Sequence, residues 1–388
     1  MRISDQDFQN RIASLQEEME RRDIDLFVGY ASESEPAVTR YLADFAPFFD
    51  FAGVIVPREG EAALITGGPE SYEMAVQFSR IRTILIHGMF VETSAPEWIP
   101  DAEIMTFSEI IPRVSGSRAP RRIALANQNI FPYPIYQDLL RVVGDVEVVS
   151  GDDMLLAVRS VKSSEEIEVI REAYRITEEA VKHVFNMVRP GLSEQEIELE
   201  GRRLMLQSGV HETSYPIWVV SGPNTRLSLG KSTDRRIQRN ELVQITFGAR
   251  YQGYCGNMCR PFVLGTPDRE TRKLMDVGIE AMEYALSAIR PGVRAPEVFR
   301  GYHDILARYG WEKFTLYGPA HGTGVSEVEG LWLAENADFV IEPGMVFNVD
   351  IWLSDNMRGL RFEDGIVVTE DGIEELADFR REVIILDA

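Results

Sequence analysis

A repeat in the second half of the chain constrains the fold most. The stretch NMVRPGLSEQEIELEGRRLMLQSG (186–209) matches SAIRPGVRAPEVFRGYHDILARYG (287–310) in outline. Each reads as a helix ending in Arg-Pro-Gly, then a second helix ending in glycine. Gly191 to Gly209 and Gly292 to Gly310 both span 18 positions. Such a repeat predicts two similar halves whose strands meet in one curved antiparallel sheet. A pocket between the halves follows.

The first part of the chain follows another pattern. Phe8, Ile12, Leu15 and Met19 fall at helical spacing, and short apolar runs such as DIDLFVGYA and FAGVIVPREGEAALITG read as strands. Residues 1–160 are therefore expected to form an α/β domain. A capping box at Ser163 and Glu166 opens the helix that starts the second domain, 161–388. A length of 388 residues suits two domains.

Composition narrows the function. The net charge of −22 argues against a nucleic-acid partner and favours cationic or neutral small substrates. No apolar run reaches the ~20 residues that span a membrane, and no apolar signal segment opens the chain. A cytoplasmic protein is expected. The two cysteines, Cys255 and Cys259, make neither a disulfide framework nor a four-ligand zinc site.

Between the paired helices lies NELVQITFGARYQGYCGNMCRPFVLG, two strands joined at Ala249–Gly253. Period two sets Cys255, Asn257 and Cys259 on one face, and Gln244 and Thr246 on one face of the neighbouring strand. His321 sits among glycines in LYGPAHGTGVSEVEG. Asp350 is expected at the end of one apolar strand, and Glu363 and Asp364 at the start of another. A buried acid is costly unless it is paired or used.

Six segments in this order resemble the pita-bread family of creatinase, prolidase and aminopeptidase P. They are VRSVKSSEEIEVIREA, VSGPNTR, FGARYQGYCGNMCR, PAHGTG, EPGMVF and RFEDGIVVTEDG. The resemblance covers nearly the whole chain. It implies an α/β N-terminal domain, an α+β pita-bread C-terminal domain and a homodimer. The family's peptidases hold two metals on two Asp, one His and two Glu. Those positions fall on Thr246, Asn257, His321, Asp350 and Glu363, so two anionic ligands are missing. Two further family histidines fall on Leu229 and near Val328.

No metal cofactor is therefore expected; the fallback is one weakly held ion on His321, Asp350 and Glu363. The expected function is creatinase-like, metal-independent hydrolysis or lysis of a C–N bond in a small polar molecule. The alternatives are an Xaa-Pro metallopeptidase and an inactive ligand-binding member. His321 and Glu363 would do general acid–base work on a bound water; in the cysteine alternative, Asp350 or Glu363 would orient His321. Cys259 is a candidate nucleophile with His321 as its base. Thr246 and Asn257 would hydrogen-bond substrate, and Tyr215 and Trp218 would wall the pocket. By comparison with creatinase, Phe48 and Asp50 would meet a cationic end of the substrate.

Overall fold

The computed structural model describes residues 2–92, 103–116 and 119–386. They cluster into two compact units, Ile3–Arg159 and Ser160–Ala388, the latter with Met1–Arg2. No helix among the described residues is long and apolar enough to cross a membrane.

The first unit is built on a seven-stranded mixed sheet. Its strands are β1 (Leu26–Ala31), β2 (Ala52–Pro57), β3 (Ala63–Thr66), β4 (Thr83–His87), β5 (Ile104–Met105), β6 (Arg122–Ala126) and β7 (Glu147–Ser150). The order is β5-β4-β3-β2-β1-β6-β7. Every residue of β1, β2 and β3 is buried. Unbroken apolar runs are what a sheet covered on both faces requires.

The second unit carries nine strands: β8 (Glu212–Thr213), β9 (Trp218–Ser221), β10 (Leu242–Tyr251), β11 (Tyr254–Leu264), β12 (Ala320–Gly322), β13 (Val346–Ser354), β14 (Gly359–Val368), β15 (Ile373–Glu375) and β16 (Ile384–Leu386). The main path is β12-β13-β14-β11-β10-β8, antiparallel throughout. β10 and β11 run further than the sequence suggests, and their turn is just Gln252–Gly253. Both residues have positive φ, +47° and +88°. That is the backbone of a two-residue hairpin turn whose twist matches the strands.

The repeat appears in the backbone bonds. Gly191 N donates to Ile237 O at 2.9 Å, and Gly292 N donates to Ile341 O at 2.8 Å. Both glycines have positive φ, +92° and +85°, as the third position of a Pro-Gly β-turn requires; Leu192 N closes one turn on Arg189 O and Val293 N the other on Arg290 O. The helix Ser164–Met187 packs on the β10–β11 hairpin, and its counterpart Arg269–Ala288 packs on β13–β14. Ser163 and Glu166 form the expected capping box. Gly256 lets the first helix sit close: a Cβ there would lie 2.5 Å from the backbone at Ala173 and Tyr174.

Candidate active site

Register builds the site. Trp218 on β9 pairs with Thr246 on β10, Thr246 with Cys259 on β11, Cys259 with Glu363 on β14, and Glu363 with Asp350 on β13. Directly opposed residues share a sheet face, so these five side chains make one row across five strands. Asp350 and Glu363 lie within their strands rather than at the ends. His321 on β12 pairs with Asn348, two residues from Asp350 on the same face of β13.

His321 is buried, and its Nδ1 lies 3.0 Å from the Gly322 carbonyl. A carbonyl only accepts, so Nδ1 is the donor in this contact and Nε2 is the ring nitrogen left for another partner. That Nε2 lies 3.6 Å from Glu327 Oε1. Asn348 Nδ2 donates to Glu363 Oε1, and Tyr174 Oη donates to Asn348 Oδ1 at 2.8 Å. The other Glu363 oxygen is buried with no hydrogen-bond partner.

Burial, and then neighbouring Asp350, hold the Glu363 carboxyl well above the ordinary carboxylate range, with Arg361 opposing. Burial raises Glu327 too; His321 opposes this and Asp350 adds to it. Arg361 Nε lies 3.3 Å from Asp350 Oδ1, and Arg361 Nη2 donates to Tyr317 Oη. Burial opposes the Arg361 charge, but Asp350, Tyr317 and Glu363 together outweigh burial and secure it.

A cavity of about 360 Å³ opens on this row. Tyr215, Trp218, Tyr317 and Trp332 give it aromatic walls, and Leu229 and Val328 give it apolar ones. His321, Glu327, Asp350 and Arg361 supply its polar groups. Sequence reasoning missed Glu327, Tyr317, Trp332 and Arg361. Two had a signal: Arg361 stands two residues before Glu363 in a strand, and Glu327 lies six residues after His321.

Several expected roles change. Cys259 is fully buried, with its Sγ 3.1 Å from Thr246 Oγ1. Burial pushes its thiol far up, so a reactive thiolate is suppressed. Asp50 accepts from Gly68 N, Ser71 Oγ and Glu92 N in the first unit. That carboxylate braces its own loop. Phe48, beside it in sequence, is exposed and stacks near Phe49. Asp364 is held by Arg260 at 2.7 Å and Arg381 at 2.9 Å, which marks it as structural.

The two-metal arrangement does not fit this row. Thr246 and Asn257 carry no charge, and Asn257 Oδ1 accepts from Ser214 Oγ at 2.6 Å. Asp350 faces Arg361. A single ion does fit: donor atoms of His321, Glu327 and Glu363 all lie within 4.8 Å of one another. Hard divalent ions favour such oxygen and imidazole donors.

An antiparallel sheet with paired helices in each half carries this row and its cavity. Residues 168–370 match metallopeptidase family M24, and the chain belongs to that family. It is 28% identical over 349 residues to the uncharacterized peptidase YqhT of Bacillus subtilis, covering 89% of this chain and 93% of that one. It is 26% identical to an Xaa-Pro dipeptidase of Pyrococcus horikoshii, covering 89% and 91%. An Xaa-Pro dipeptidase structure from Bacillus anthracis superposes with TM-score 0.81 at 25% identity, covering 98% and 100%. The prolidase structure from Pyrococcus horikoshii OT3 shares the fold, with TM-score 0.82 at 24% identity and coverage of 97% and 100%.

These findings overturn the expectation that no metal takes part. The family is one of metallopeptidases, and a three-donor cluster stands where its metals are expected. They also favour the Xaa-Pro peptidase alternative over the creatinase-like reading.

Proposed function

We propose that this chain is a metal-assisted hydrolase that cleaves a carbon–nitrogen bond in a small peptide, in the manner of an Xaa-Pro dipeptidase. One observation carries the reading: His321, Glu327 and Glu363 converge beside an aromatic-walled cavity of about 360 Å³. That volume suits a dipeptide-sized ligand rather than a protein strand. A divalent ion held by these donors supplies Lewis-acid polarisation of a carbonyl and a more acidic water.

The remaining residues bind and orient. Arg361, fixed by Asp350 and Tyr317, turns a positive charge toward a substrate carboxylate or a developing oxyanion. Burial, and then Asp350, keep the Tyr317 proton in place, so its hydroxyl serves as a donor. Trp218, Trp332 and Leu229 exclude water and hold an apolar ring or side chain. A homodimeric assembly belongs to the same proposal.

The test is a panel of Xaa-Pro and other dipeptides, incubated with the protein and Mn²⁺ or Co²⁺, with released amino acids measured. Cleavage of at least one peptide is expected, abolished by chelator and by Glu363→Gln. A protein with a bound ion that cleaves none of them would sink the reading.

A further inference from the structure

We propose that Glu327 is a metal ligand, and that with His321 and Glu363 it makes a site for one divalent ion rather than two. The proposal rests on the metal-assisted reading above and deepens it. Spacing from His321 alone does not make Glu327 a ligand; its place in the fold does.

Glu327 stands on the loop that follows β12, and that loop is folded back on itself. Gly322 N donates to Gly330 O at 2.8 Å, and Glu329 N donates to Gly322 O at 2.9 Å. Gly324 N donates to Ser326 O at 3.0 Å. A buried ion pair, Lys162 Nζ to Glu329 Oε2 at 2.7 Å, anchors the loop to the segment entering the second unit. Glu327 is thus held beside His321 by an ordered turn.

Two observations point to a cation there. The three donors gather within 4.8 Å of one another. Independently, Glu363 Oε2 is buried without a hydrogen-bond partner, although Asn348 serves its other oxygen. An unpartnered buried carboxylate oxygen is costly unless a cation meets it.

Two observations limit the site to one ion. Asp350 faces Arg361 at 3.3 Å, so the acid expected as third ligand already has a cation. Thr246 and Asn257 bring no charge to a second position, and Thr246 Oγ1 lies against Cys259 Sγ. Two carboxylates and a neutral imidazole balance one dication. Three protein ligands with an open position are the usual form of a catalytic metal site. His321 and Glu327 line the cavity, so an ion held by these residues would lie beside it.

The test is titration of the chelator-treated, dialysed chain with Co²⁺, followed by calorimetry and visible absorption. One ion per chain is expected. Glu327→Gln should weaken binding at least about tenfold, and Glu327→His, which restores a donor, should recover most of it. Matching circular dichroism of the metal-free forms guards against misfolding. Two ions per wild-type chain, or equal affinity in Glu327→Gln, would overturn the proposal. Turnover is read separately: one bound ion without peptide cleavage removes the proposed function and leaves this site standing. Cleavage with two bound ions does the reverse.

Discussion

Cys259 and Glu363 are cross-strand partners at the register position where β11 pairs with β14. Each belongs to a different hairpin, so the seam of the sheet runs through the site. The thiol there is packing, not a nucleophile. Cys259→Ala should therefore leave turnover within about threefold and cost about 1 kcal/mol of stability, as small core truncations do. Iodoacetamide should label Cys259 in urea but not in the native chain. Rapid native labelling, or loss of turnover in the alanine variant, would restore the thiol to the chemistry.

The Glu363 carboxyl gives a pH signature. Burial, and then Asp350, raise it in the folded chain, with Arg361 opposing. A raised acid means that the folded chain holds its proton more tightly than the unfolded one. Stability of the metal-free protein from this group is thus full below the ordinary glutamate range and falls as pH climbs toward the raised value. Glu363→Gln removes the loss. It should stabilise the metal-free protein at pH 8 and change it little at pH 4, while abolishing turnover. Denaturant unfolding at both pH values decides it; a less stable variant at pH 8 contradicts the argument.

Lys162 and Glu329 are each almost fully buried and 2.7 Å apart. Removing one partner strands the other charge. Lys162→Met is expected to cost about 3–5 kcal/mol, and adding Glu329→Leu should recover part of it. Because the pair anchors the Glu327 loop, Lys162→Met should also weaken Co²⁺ binding. Additive losses in the double variant would show that the two residues do not act together.

Gly256 has no room for a side chain. A methyl there would meet the helix backbone at Ala173 and Tyr174 at 2.5 Å. Gly256→Ala should cost about 1–3 kcal/mol through overpacking. The same helix carries Tyr174, whose hydroxyl reaches Glu363 through Asn348. Turnover should fall along with stability, and a stable variant with normal turnover would show that the helix can shift freely.

The strands, the paired helices and the capping box at Ser163 were readable because they follow local rules: period, turn residues, caps. The repeat then gave the symmetric halves. His321, Asp350 and Glu363 stood out as polar residues in glycine-rich or apolar settings. Arg361 and Glu327 did not, for different reasons. Arg361 matters through Asp350, a diagonal neighbour on another strand, since register sets Asp350 opposite Glu363 and Arg361 opposite Trp352. Glu327 matters through a loop closed by backbone bonds, which no periodicity announces. The role expected of Asp50 comes from a comparison of positions with creatinase, and such a comparison does not show the Gly68, Ser71 and Glu92 donors that hold it.

The duplicated halves carry unequal shares of the chemistry. Thr246 and Asn257, the neutral replacements, both sit on the β10–β11 hairpin of the first half. His321, Glu327, Asp350 and Glu363 all come from the second. A doubled scaffold tolerates this division of labour, because the copy that has lost its ligands still props up the other. The first half has become the buttress, and further change in reactivity is to be sought in the second.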